Sequence, residues 1–113
     1  MSEQERPWQP LGAEAEIFCE GSATCASRKV DGVQVALFRV DGEVHALDDR
    51  CTHGNAWLSE GLLEGHEIEC PMHAGVFDVR DGAVLAAPAI RPARCHAVKV
   101  ENGEVFIRIT PKA

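Results

Sequence analysis

Two short stretches hold residues whose types and spacing can do metal chemistry. Cys51-Thr52-His53 is followed by sixteen residues and then by Cys70-Pro71-Met72-His73, so each stretch offers one thiolate and one imidazole. Glycine follows each closely, at Gly54 and Gly75. Such soft to borderline donors suit iron, zinc or an iron–sulfur cluster, whereas magnesium and calcium take oxygen ligands. One isolated Cys or His in a chain of this kind reads as a core or surface residue. Four of them in two compact segments read as a metal site, since a cation holds thiolate and neutral imidazole in their deprotonated forms.

Structural zinc sites with two Cys and two His more often pair the cysteines in one segment and the histidines in the other. Here each segment contributes one of each, which is the pattern of a Rieske centre, C-x-H followed by C-x-x-H. The surrounding motifs carry the likeness further. Cys51-Thr52-His53-Gly54, Leu58-Ser59-Glu60-Gly61, Ile68-Glu69-Cys70-Pro71-Met72-His73 and Gly75-Val76-Phe77-Asp78-Val79-Arg80 resemble the Rieske-type ferredoxins of bacterial aromatic-ring-hydroxylating dioxygenases (the naphthalene and biphenyl dioxygenase ferredoxin family), from about Trp8 to Ile109. The resemblance implies one [2Fe–2S] cluster, with Cys51 and Cys70 on an inner iron and His53 and His73 on an outer one. It also implies a third, proline-bearing loop over the cluster, where Ala86-Ala87-Pro88 falls.

The donor set bears on the electron. With neutral imidazoles the oxidised cluster is formally uncharged, so adding an electron is easier than at a four-thiolate cluster; Rieske centres lie at about −150 to +300 mV. Rieske proteins of respiratory complexes resemble C-T-H-L-G-C and C-P-C-H-G-S-x-Y, with a disulfide and two hydroxyls near the cluster. This chain has Ala56 and Met72 at the cysteine positions, Gly75 at the Ser position and Phe77 at the Tyr position, and no Tyr anywhere. Hydrogen bonds around a metal site tune it, so the expectation is a potential in the low part of that range.

The elements that must position these loops are strands. Asp31-Gly32, Asp41-Gly42, Asp81-Gly82 and Asn102-Gly103 each separate short apolar segments, and such pairs supply the positive φ angles of hairpin turns. The clearest strand is Val33 to Val40, apolar on both faces and so expected in the middle of a sheet; Val44 to Asp48 is its hairpin partner and leads into the first loop. Cys95 to Glu101 and Glu104 to Ile109 read as a C-terminal hairpin, with Val98 and Val100 on one face. Leu62 to Glu64 and Glu67 to Glu69 around Gly65 form a small pair between the two ligand loops, and Trp8 to Leu11 and Ala23 to Val30 are further strands. Ala13 to Phe18 allows a helical turn or two. The fold class is therefore all-β, a sandwich or barrel, and the resemblance implies the antiparallel β-sandwich of the Rieske-type family. The expected organisation is a single domain over residues 1–113, with a cluster-binding subdomain at about 49–88.

The balance of 11 basic and 18 acidic residues, −7 in net charge, argues against nucleic acid and anionic membrane as partners. No apolar run is long enough to span a bilayer and no secretory leader precedes the first strands, so the expected location is the cytoplasm, with Cys19, Cys25 and Cys95 as unligated thiols. His45, His66 and His96 read as structural. Trp57 is either a partner-docking aromatic or a lid over the cluster, and Met72 is loop packing or part of the contact rim. The group Glu60, Glu64, Glu67 and Glu69 is a solvated face, or steers the protein towards basic partners.

The resemblance implies an electron carrier rather than an enzyme, passing single electrons from a flavin-dependent NAD(P)H ferredoxin reductase to a terminal Rieske oxygenase. The alternatives are the Rieske small subunit of an assimilatory nitrite reductase and a structural zinc module for protein binding. Colour separates the last, since a zinc protein is colourless.

Overall fold

The computed structural model describes residues 7–18, 24–52, 56–71, 75–86 and 91–111. Its organisation follows from the hairpin turns. At Asp31-Gly32, Asp41-Gly42 and Asn102-Gly103 both residues have positive φ, 52° and 79°, 51° and 80°, 53° and 80°. This is the two-residue turn whose twist matches that of the flanking strands. The turns join β2 (Cys25–Val30) to β3 (Val33–Val40), β3 to β4 (Glu43–Asp48), and β9 (Cys95–Glu101) to β10 (Glu104–Arg108). β1 (Gln9–Ala13) pairs with β10 through an irregularity between Pro10 and Gly12 and runs into the single helical turn α1 (Glu14–Ile17). The resulting six-stranded antiparallel sheet has the order β1-β10-β9-β4-β3-β2.

A second sheet of four short strands, β5 (Leu62–Glu64), β6 (Glu67–Glu69), β7 (Val76–Asp78) and β8 (Val84–Ala86), lies in sequence between the two halves of the first. The β5–β6 pair matches the expected one; β7 and β8 extend it beyond what sequence alone assigned. Asp81-Gly82, expected to be a fourth hairpin turn of the same kind, is different. Only Gly82 has positive φ, and the turn is held by the Asp81 carboxylate, which accepts the Ala83 N–H at 2.9 Å.

β3 is buried on both faces, as its composition predicts. Val35 and Leu37 pack with Val105, Ile107 and Phe18 on one side; Ala36, Phe38 and Val40 pack on the other with Ile68 and Phe77 of the small sheet and Val79 in the turn after β7. Each Val, Leu, Ile or Phe side chain among them, fully buried, contributes about 1.5–3 kcal/mol relative to exposure. β3 thus joins the two cores and fixes the small sheet against the large one.

The large sheet is narrowest where β4 meets β9, through Ala46↔His96 and Leu47↔Cys95. A polar junction reinforces that seam. The Thr110 N–H donates to His96 Nδ1 at 3.1 Å, which leaves the proton on Nε2 to bond Asp48 Oδ1 at 2.8 Å. Arg94 Nε bonds both oxygens of the same carboxylate, at 3.2 and 3.1 Å. Burial pushes the Asp48 carboxyl upward, but the hydrogen bonds from His96 and Arg94 outweigh it and leave the group below the usual range. Away from the seam the strands diverge around a cleft of about 720 Å³. Val100, expected to share a face with Val98, is 40% exposed there because β4 no longer covers that end of β9.

Candidate metal centre

Both candidate loops are hairpin tips of the same length. In the first, the Leu58 N–H donates to Asp49 O at 2.6 Å, Arg50 and Trp57 form a bridge, and the Cys51 N–H donates to Ala56 O at 2.8 Å. In the second, β6 and β7 pair up to Glu69↔Val76, and the Cys70 N–H donates to Gly75 O at 2.7 Å. Each loop therefore opens on a cysteine whose amide is tied to the carbonyl five residues on. Cys51 is 3% and Cys70 1% exposed, and both belong to one apolar cluster with Ala56, Leu58, Ile68 and Phe77. The fold brings these two thiols together at the junction of its two sheets.

His53, Met72, His73 and Pro88 lie outside the described residues, as does Cys19. Trp57 is 42% exposed at the base of the first loop, beside a hollow of about 300 Å³ that it shares with Asp49, Ser59 and Glu60. Among the described residues, Leu62 and Leu85, 57% and 48% exposed, are the other large apolar side chains on the surface of this half. The Phe77 ring is fully buried beside the two thiols, and Gly75 meets Cys70 through its carbonyl. Neither supplies a side-chain donor to the site. Cys25 and Cys95 are half-buried, unbridged thiols; burial raises both pKa values, which makes them poor ligands and poor nucleophiles.

Sequence reading missed several residues that build the site. Asp49, 1% exposed, accepts from Ser59 N at 2.8 Å, Ser27 Oγ at 2.7 Å and Ser59 Oγ at 3.0 Å. Thr52 Oγ1 donates to Arg91 O at 2.7 Å and so ties the first loop to the segment after β8. Gly61 closes the 3-10 turn Leu58–Glu60, and a Cβ there would lie 2.0 Å from Glu69 O. It lets the exit of the first loop pass directly against the entry to the second. The Ser59 and Gly61 signal was present in Leu58-Ser59-Glu60-Gly61, but their partners are distant in sequence.

His45, His66 and His96 occupy structural places. The His45 and His66 rings meet edge to face at 5.8 Å, linking β4 to the β5–β6 turn. His45 Nε2 is buried without a hydrogen bond, 3.7 Å from Glu43 Oε1. Burial lowers its pKa, against the pull of Glu43 and with the help of His66 and Arg80. On the small sheet, Arg80 bonds both oxygens of Asp78, at 3.0 and 2.8 Å, and holds that carboxyl at about 2.

Comparison with known proteins follows the same lines. The family described as the Rieske [2Fe-2S] domain matches residues 7–102. The ferredoxin component of the naphthalene 1,2-dioxygenase/salicylate 5-hydroxylase systems of Ralstonia sp is 47% identical over 81 residues, 72% of this chain and 78% of that one. The anthranilate 1,2-dioxygenase ferredoxin subunit of Burkholderia cepacia is 39% identical over 102 residues, 90% of this chain and 92% of its own. Among solved structures, the complex of reduced oxygenase and oxidized ferredoxin in carbazole 1,9a-dioxygenase contains a chain that superposes with a TM-score of 0.82 at 34% identity, covering 96% of this chain and 99% of that one.

Proposed function

This chain belongs to the Rieske [2Fe-2S] family, and on that premise we propose that it is a mobile one-electron carrier that serves the terminal oxygenase of an aromatic-ring-hydroxylating dioxygenase. The observation that carries the reading is the pair of buried thiols, Cys51 and Cys70, each opening a loop of the same closure within one apolar cluster. That donor set fits the family's cluster. Two thiolates on loops tied at both ends give fixed, water-excluded ligands for one iron, and the loops each still have a histidine to offer. In this reading Cys51 and Cys70 hold the inner iron and His53 and His73 the outer one, within a cluster-bearing unit at about 49–88. When bound, the cluster supplies a reversible one-electron step.

The protein's own residues do the rest. The amides of Cys51 and Cys70 are engaged with Ala56 and Gly75 carbonyls, which sets where each thiol points. Ala56, Leu58, Ile68 and Phe77 keep water from the thiols. Phe77 and Gly75 offer no hydroxyl, which keeps electron-stabilising hydrogen bonds low and supports a low-potential relay. Exposed Trp57 sits on the first loop, where it can meet a partner, and we assign it to docking rather than to a lid. The relatives are named as ferredoxin components, so the role is that of a carrier and not of a catalyst. The electron source is a flavin-dependent NAD(P)H reductase, and the location is the cytoplasm, in keeping with the unbridged thiols Cys25 and Cys95. No helix of the described residues is long and apolar enough to cross a membrane.

The test is reconstitution with candidate reductases and oxygenases, scored by NAD(P)H-driven turnover, alongside EPR and protein-film voltammetry. A rhombic EPR signal on reduction and a midpoint below zero are expected. A colourless zinc protein, or turnover only with a nitrite reductase, sinks the reading.

A further inference from the structure

We propose that Asp49 is a fixed buried anion that bolts the first ligand loop to the large sheet and holds the reduction potential of the centre down. The inference rests on the reading above, in which Cys51 is a ligand; it adds a residue which that reading does not use.

Asp49 precedes Cys51 by two positions and is 1% exposed. Its backbone already closes the loop, donating to Gln34 O at 2.9 Å and accepting from Leu58 N at 2.6 Å. Its side chain adds a second set of bonds. Oδ1 accepts the Ser59 N–H, and Oδ2 accepts the hydroxyls of Ser27 and Ser59. Ser27 Oγ in turn accepts from Gln34 Nε2 at 2.5 Å. The carboxylate therefore spans β2, the loop stem and the 3-10 turn that follows it. Both of its oxygens act as acceptors, which is what an ionised carboxylate presents.

These three donors are all neutral, so they solvate the charge without cancelling it. An asparagine of the same shape could keep the Ser59 N–H bond through Oδ1 and, with Nδ2 in the other position, donate to one serine hydroxyl that turns to accept. The negative charge and one hydroxyl contact would be lost. That charge sits within the protein, where a field is screened far less than in water, two positions before Cys51, a ligand in that reading to a centre that gains one negative charge on reduction. Its effect is to disfavour the electron. Asp49 is thus a positioning residue with an electrostatic consequence, set by a fold contact far from the ligands in sequence.

Opposite signs in two variants test this. Asp49→Asn removes the charge and keeps most of the shape; protein-film voltammetry should show reduction favoured about tenfold, equivalent to about 59 mV for one electron. Ser59→Ala removes a hydroxyl whose dipole screens the carboxylate and leaves the full charge; its potential should move the other way, by up to about threefold in the same equilibrium. A purely structural bolt would loosen the loop in both variants and shift both in one direction. An unchanged or lowered potential in Asp49→Asn, with the rhombic EPR signal intact, overturns the inference. Should Asp49→Asn not assemble the centre, a raised potential in Ser59→Ala overturns it instead. A wild-type protein without the rhombic signal would instead defeat the ligand assignment, which keeps the two failures apart.

Discussion

Gly61→Ala is the substitution that most directly probes how the two proposed ligand loops are held in register. Gly61 has φ −85° and ψ −168°, extended backbone that alanine adopts without strain, so any effect must come from space. The added Cβ would stand 2.0 Å from Glu69 O and 3.1 Å from Glu69 C. Both are backbone atoms and cannot rotate aside. To restore ordinary contact one chain must retreat by about 1.4 Å. Glu69 is the residue before Cys70 and is paired on both sides, with Leu62 and with Val76. The retreat therefore moves Cys70 relative to Cys51 or breaks those pairs. Metal–ligand distances tolerate about 0.2 Å, so a shift of this size cannot be absorbed at the ligands. Overpacking costs about 1–3 kcal/mol, and a backbone-on-backbone clash belongs at the upper end, about 3 kcal/mol. With a urea m-value of about 1.5 kcal/mol/M, the midpoint should fall by about 2 M. The assay is a urea titration of the cluster-loaded protein, read by far-UV circular dichroism and by the visible absorbance of the cluster. The cluster signal should fade well before the secondary structure. Gly103→Ala is the control: its φ of 80° gives strain of about 1–2 kcal/mol, but nothing lies within 4 Å and the ligand loops are untouched. Wild-type cluster content and midpoint in Gly61→Ala would refute the idea that this close approach sets the register.

Two further expectations concern acid. His45 has a folded pKa below its unfolded one, so the unfolded chain takes up a proton more readily and stability falls as pH drops below about 6.5. His45→Leu should flatten that part of the stability–pH profile measured by denaturant unfolding, and an unaltered slope would show that His45 is not its source. Asp78, held at about 2 by Arg80, contributes stability that is present above about pH 4 and lost as pH falls towards 2. Arg80 is more than half exposed, so Arg80→Ala should cost little at neutral pH and less still towards pH 2, where Asp78 takes up its proton. An equal loss at both pH values would place Arg80's contribution elsewhere.

The sequence by itself determined a good deal, because the relevant signals are local. Three Asx-Gly pairs marked hairpin turns, since that turn needs two consecutive residues at positive φ and few residue types accept it. Both-sided apolarity placed β3 inside the sandwich, where Val35, Ala36, Leu37 and Phe38 are fully buried. The alternation of Cys and His at short gaps pointed to a cluster rather than a zinc site, because ligand chemistry is written in residue type. The tertiary structure decided what depends on distant partners. β7 and β8 are three residues each and exist as strands because β6 offers an edge to β7 and β7 in turn offers one to β8. Val100 lost its cover when β4 and β9 parted, which no alternation along β9 could reveal. Asp49 looks like an ordinary loop residue in the sequence, and Gly61 stands there only as part of a motif without its partner. One became a buried anion because Ser27 on β2 and Ser59 beyond the loop converge on it; the other became irreplaceable because the Glu69 carbonyl passes where a side chain would be. Ligand identity is a property of the residues themselves, but the charge around the ligands and the spacing between them arise only when separate parts of the chain meet.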